Sequence, residues 1–114
     1  MLEFMIIERH HGLEKDLKSL KRFPTPKESL EAWERFFVFK GLKETPGIEQ
    51  YPGFGQNSVF KARVVPLGEN CEKSKGYRLV FRLDGETCTI LVFSRHGIYN
   101  NEQELIDLIR SRLN

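Results

Sequence analysis

The sequence predicts an α+β domain: a mostly antiparallel sheet of about four strands, two helices ahead of most of it and one behind, in the order β-α-α-β-β-β-α. Three observations carry this. Residues 59–65 and 77–83 alternate apolar and polar side chains with the period of two that a half-buried strand requires. Apolar residues recur at three- and four-residue spacing in three other stretches, the pattern of a helix with one buried stripe. The 114 residues show no repeat, low-complexity tract or linker, so residues 1–114 read as a single domain.

Leu2, Phe4 and Ile6 alternate with Glu3, Met5 and Ile7, predicting a first strand over 2–8. In "LEKDLKSLKRF", Leu13, Leu17 and Leu20 form one stripe of a helix that "FPTP" ends, since proline cannot continue a helix interior. The second helix has a start signal: Thr25 as N-cap, Pro26 in the first position and Glu28 to close a capping box. Leu30, Trp33, Phe36 and Phe37 supply its apolar face, and Gly41 its stop. The glycine- and proline-rich stretch 41–57 reads as a loop, with Tyr51 and Phe54 available to pack it down.

Three strands are then expected. In 59–65, Phe60, Ala62 and Val64 oppose Lys61, Arg63 and Val65. In 77–83, Tyr77, Leu79, Phe81 and Leu83 oppose Arg78, Val80 and Arg82. "DGET" is a hairpin turn, and residues 88–96 are apolar on both faces at first, as a central strand would be. The last helix has Asn100 or Asn101 as cap, acids in its first turn (Glu102, Glu104) and arginines in its last (Arg110, Arg112).

Composition excludes several classes. No run approaches the roughly 18 apolar residues of a membrane span, and the first residues lack the basic-then-apolar order of a secretory signal. A soluble cytoplasmic protein is expected. Cys71 and Cys88 have neither disulfide-framework nor zinc-knuckle spacing. There is no phosphate-binding loop, no dinucleotide fingerprint and no acidic pair at metal-ligand spacing, so neither cofactor nor metal is expected. His10 and His11 are adjacent, so their side chains diverge.

Net charge is only +2, but residues 61–95 hold seven basic against four acidic side chains. If 59–65 and 77–83 pair, Lys61, Arg63, Arg78 and Arg82 share one surface. Like charges facing each other destabilise a sheet unless acids or a bound anion compensate them. Two readings stand: a face neutralised by Glu69, Glu72 or Glu86 from the turns, and an anion site. Arg95, His96 and Tyr99 at the end of the adjacent strand add a phosphate-reading guanidinium, an imidazole that titrates near neutrality and an aromatic ring. Cations beside an aromatic ring suit single-stranded RNA, which needs charge for phosphate and a ring for stacking.

The run Phe60-Lys61-Ala62-Arg63, then Gly76-Tyr77-Arg78-Leu79-Val80-Phe81, then "TILVFSRH" and a closing helix, resembles the RelE/ParE superfamily of toxins, and most of all its RelE- and HigB-like messenger-RNA endoribonucleases. The likeness covers roughly 59–109, and the first half agrees in element order. It implies a curved antiparallel sheet whose concave basic face cuts mRNA on the ribosome without a metal or cofactor, and a cognate antitoxin protein as partner. The 2′-hydroxyl would attack the adjacent phosphate. Lys61 and Arg63 would stabilise charge, Lys61 doubling as a base, while Arg78 and Arg95 would hold the phosphate. His96 or Tyr99 would serve acid–base work and stacking. Apart from the resemblance, Lys73, Lys75 and Arg82 of the same basic stretch are candidate RNA-binding residues, Arg82 without a counterpart in the family pattern. The ParE branch implies a different outcome, inhibition of gyrase without RNA cleavage, and an inactive relative would bind RNA only.

Overall fold

The computed structural model describes residues 5–55, 58–68 and 76–113. Eight elements follow one another among them: β1 (Ile6–Arg9), α1 (Leu13–Ser19), α2 (Pro26–Glu44), β2 (Ile48–Gln50), β3 (Ser58–Val64), β4 (Tyr77–Asp84), β5 (Thr87–Arg95) and α3 (Glu102–Leu113). The α+β class holds, but the sheet is mixed and has five strands, not four, in the order β1-β5-β4-β3-β2. Two differences from the expected sheet explain this. β2 forms inside the stretch read as a loop and pairs antiparallel with β3. β1 pairs parallel with β5, since α1 and α2 return the chain before the sheet resumes. Leu2 and Phe4 of the expected first strand fall outside the described residues.

Strict alternation along β3 and β4 divides the apolar side chains between two cores. Phe60, Ala62, Val64, Tyr77, Leu79 and Phe81 face α1 and α2. There Trp33 stacks on Phe37 at 4.8 Å between centroids, and Phe37 meets Phe81 at 5.2 Å. Val59 and Val80 face the other way, toward Leu105 and Ile109 of α3. Helices therefore cover both faces of the sheet.

β5 breaks the alternation once. Val80 pairs with Val92 but Phe81 pairs with Ile90, leaving Leu91 as an extra residue. Leu91 and Val92 consequently both face α3, while Ile90 and Phe93 face the other core. Every residue beyond Leu91 is turned to the opposite face from the one unbroken alternation would give it.

Two helix ends differ in detail from expectation. Thr25 precedes α2 but sits at φ 53°, with no side-chain cap, so the capping box does not form. Its hydroxyl donates instead to the Leu67 carbonyl, whose residue in turn donates its N–H to Ser29 Oγ at 3.0 Å. Gly41 breaks the helical geometry as expected, at φ 78°, a conformation costly for any residue with a Cβ; helical turns resume to Glu44. In α3 the cap is Asn101, whose Oδ1 accepts the Glu104 N–H at 2.9 Å.

One polar contact in the interior joins three elements. Asp16 of α1 and Arg112 of α3 form a two-pronged ion pair (Nη1–Oδ2 2.7 Å, Nη2–Oδ1 2.9 Å), with side chains only 6% and 8% exposed. β1 ends at Arg9, opposite Ile90, so the neighbouring edge of β5 continues without a strand beside it. The pair takes that strand's place: Phe93 N–H donates to Asp16 Oδ2 at 3.0 Å, and Arg112 Nη1 donates to the Leu91 carbonyl at 2.7 Å. Gly12 makes room for it, since a Cβ there would lie 2.6 Å from Arg112 Cζ. Beside it, His10 Nδ1 accepts the Gly12 N–H at 3.0 Å, and burial, then the charges of His11 and Arg112, hold the His10 pKa below its ordinary 6.5.

Removing one partner of a buried pair strands the other, so Asp16→Ala should cost about 3 kcal/mol in urea unfolding. An apolar double replacement often recovers such a loss. Here Asp16→Leu/Arg112→Met should remain destabilised by about 2 kcal/mol, because Leu91 C=O and Phe93 N–H lose their partners too. His10 adds a pH dependence. Its folded pKa lies below its unfolded one, so its contribution is complete above about 6.5 and is lost as pH falls through the folded value. His10→Asn, whose side-chain oxygen can accept the same N–H, should unfold with a smaller stability change between pH 7 and pH 5 (roughly that histidine range) than the wild type.

Candidate functional site

β3 and β4 place Arg63 directly opposite Arg78, and Ser94 of β5 flanks Arg78 on its other side. Lys61 lies two residues along, opposite Val80 on one side and Glu49 of β2 on the other. Glu49, Lys61, Arg63 and Arg78, together with Gly47, Ala62 and His96, line a cleft of about 190 Å³. A second cleft of about 320 Å³ adjoins it, running from Arg78 and His96 to Tyr99, Asn101 and Glu102 at the start of α3. Arg78 and His96 belong to both and mark their junction.

The crowding of cations is compensated loosely. Lys61 Nζ is 3.8 Å from Glu49 Oε2, and Arg78 Nη2 is 3.6 Å from Glu102 Oε2. Both carboxylates are exposed, and such pairs contribute about 0–1 kcal/mol, so an incoming anion can displace them. Arg63 meets no carboxylate among the described residues. Tyr51, buried at the end of β2, touches both halves of the arrangement. Lys61 Nζ sits 5.2 Å from its ring centroid, and its hydroxyl donates to Glu102 Oε1. Burial first, then that hydrogen bond, raises the Tyr51 pKa. The cleft can thus hold a phosphate between Arg63 and Arg78 and place an imidazole and a carboxylate beside it.

The expected site residues divide. Lys61, Arg63, Arg78 and His96 come together as the sequence suggested. Arg95 edges the second cleft, but its guanidinium lies over the rings of Phe23 and Tyr77, at 4.5 and 5.0 Å, on the α1–α2 side of the sheet. The extra residue at Leu91 is the reason, since it reverses the facing of all that follows in β5. Tyr99 edges the second cleft, but its ring packs against the core beneath α3 and its cavity side faces Asp16 and Arg112. Burial, followed by the charge of Asp16, pushes its pKa up to about 12, so at neutral pH it keeps its proton.

Arg82 stands four residues from Arg78, roughly 13 Å along the strand, where it lies 3.8 Å from Asp84. Lys73, Lys75 and the loop acids Glu69 and Glu72 lie outside the described residues. Sequence gives no site role to two carboxylates of the cleft, Glu49 and Glu102, or to the tyrosine behind them. Glu49 belongs to a three-residue strand too short to show a period, and Glu102 reads as an ordinary first-turn acid. Among the described residues no three His, Cys, Asp or Glu side chains gather as metal ligands.

Compared with protein-family models, curated proteins and solved structures, the chain matches none of them. No described helix is long and apolar enough to cross a membrane.

The geometry separates two arginines that sequence alone groups together. If the cleft takes RNA phosphate, Arg63→Ala should reduce, by about 0.7, the slope of log K against log salt for a single-stranded RNA oligonucleotide over roughly 50–200 mM salt. Arg95→Ala should leave it unchanged in a fluorescence-anisotropy titration.

Proposed function

We propose that the chain is a toxin of the RelE kind: a metal-independent endoribonuclease that cuts mRNA on the ribosome, in the cytoplasm, until a cognate antitoxin binds it. The observation that carries this reading is the convergence of Lys61, Arg63, Arg78 and His96 on one cleft with the Glu49 carboxylate. The sequence resemblance supports the same assignment.

Chemically, RNA supplies its own nucleophile, so the protein must manage two protons and one growing charge. Glu49 takes the proton of the 2′-hydroxyl as the 2′-oxygen bonds to phosphorus. Arg63 and Arg78 hold the non-bridging oxygens as negative charge builds on them, with Lys61 adding charge from the side. The P–O5′ bond breaks and His96 gives the leaving 5′-oxygen its proton. The products are a 2′,3′-cyclic phosphate and a 5′-hydroxyl. The antitoxin's apolar side fits Val38 and Phe39 of α2, the latter 80% exposed, with Met5 ahead of β1 beside them.

Cleavage of mRNA, free with chelator present and on translating ribosomes in their Mg²⁺ buffer, tests the reading. A 2′-deoxy substitution at the cut position should abolish cleavage, and Arg78→Ala should slow it about 100-fold and relieve growth arrest on expression. Intact RNA in both settings sinks the nuclease. Inhibited gyrase supercoiling with intact RNA would establish the ParE-like reading instead, and salt-sensitive binding without cleavage the inactive RNA-binding one.

A further inference from the structure

The cations of the cleft stand on adjacent strands and repel one another, so something must hold each in place before substrate arrives. Glu49 and Glu102 are exposed and sit beyond hydrogen-bonding distance of Lys61 and Arg78. Neither carboxylate can orient a guanidinium or an ammonium group by itself. The fixed object nearby is Tyr51. Its residue is 6% exposed, its ring meets Phe54 edge-on at 5.2 Å, and its backbone N–H bonds the Val59 carbonyl at 2.8 Å. The β2–β3 pairing and the core beneath α3 therefore lock both its backbone and its ring.

From this locked position Tyr51 reaches both cations. The ring face lies under Lys61 Nζ, an arrangement in which the π-cloud attracts the ammonium without competing for an incoming phosphate. The hydroxyl binds Glu102 Oε1, which leaves Oε2 turned toward Arg78. An anchored carboxylate restrains the guanidinium, whereas a free one on an exposed first turn would wander. We infer that Tyr51 is the positioning residue of this site: it holds Lys61 through its ring and Arg78 through Glu102. It touches no substrate, and it ties the placement of β3 and β4 cations to the docking of α3. The role rests on the reading of the cleft as an RNA-phosphate site. It deepens that reading by naming what pre-orients the phosphate-binding groups.

Tyr51→Phe keeps the ring and the packing and removes only the link to Glu102. ¹⁵N relaxation at arginine Nε in the full chain reads the result directly. In Tyr51→Phe the Arg78 order parameter should fall below about 0.6, with Arg82 unchanged as the internal control. Single-turnover RNA cleavage should drop about tenfold, as expected for a misaligned group, while RNA affinity stays within about twofold, because charge is conserved. In an Arg78→Ala background the same substitution should cost nothing further, since both act through one guanidinium. The ring arm is read separately: Lys61 methylene protons shifted upfield by the ring should keep that shift in Tyr51→Phe and lose it in Tyr51→Leu. An Arg78 as ordered in Tyr51→Phe as in the wild type overturns the inference, as do losses that multiply in the double variant. A wild type that leaves RNA intact, with Arg78 nonetheless loosened in Tyr51→Phe, defeats the nuclease reading and leaves the positioning role standing.

Discussion

The pairing of Asp16 with Arg112 is the contact on which the arrangement of layers depends. α1 belongs to one face of the sheet and α3 to the other, and a sheet normally keeps such helices apart. They meet here because β1 is short, leaving part of the β5 edge open for two side chains to pass through. The carboxylate accepts what a neighbouring strand would accept and the guanidinium donates what it would donate. Buried ion pairs often add little net stability; what this one contributes is registration. Arg112 fixes the roll and advance of α3, and ten residues earlier, roughly 15 Å along the axis, the same helix brings Glu102 over Arg78.

Charged pairs of the same kinds thus play two parts within one small chain, and burial decides which. At 2.7–2.9 Å and almost wholly buried, Asp16 and Arg112 are fixed. At 3.6–3.8 Å and open to water, Glu102 with Arg78 and Glu49 with Lys61 are exchangeable. A site for a polyanion needs the second kind: enough compensation for like-charged strands to pair, and little enough that phosphate can take the acids' place.

Much of this was legible in the sequence where a period was long enough to read. The seven- and eight-residue strands β3 and β4 alternate cleanly, and they put Lys61, Arg63 and Arg78 on one face as expected. The stripes of α1 and α2 located the larger core. What failed to show has physical reasons. β5 is apolar on both faces, so one inserted residue leaves no trace in its pattern, yet it decides that Arg95 lies over Phe23 rather than beside Arg78. β2 spans three residues among glycines and prolines, too few for alternation to be seen. Asp16 sits in a helix rich in charge, and nothing local distinguishes an acid whose partner is 96 positions away.

That separation bears on how the chain acquires its shape. Until α3 is in place, docking α1 against β5 would bury the Asp16 carboxylate without its cation, an unfavourable state. The two halves of the fold are therefore expected to close together, by a contact between distant parts of the chain of the kind that forms slowly. The cleft, which borrows Glu102 from the same helix, is completed only in that closing step. A chain still lacking α3 would carry the cleft cations Lys61, Arg63 and Arg78 without the carboxylate that steadies Arg78.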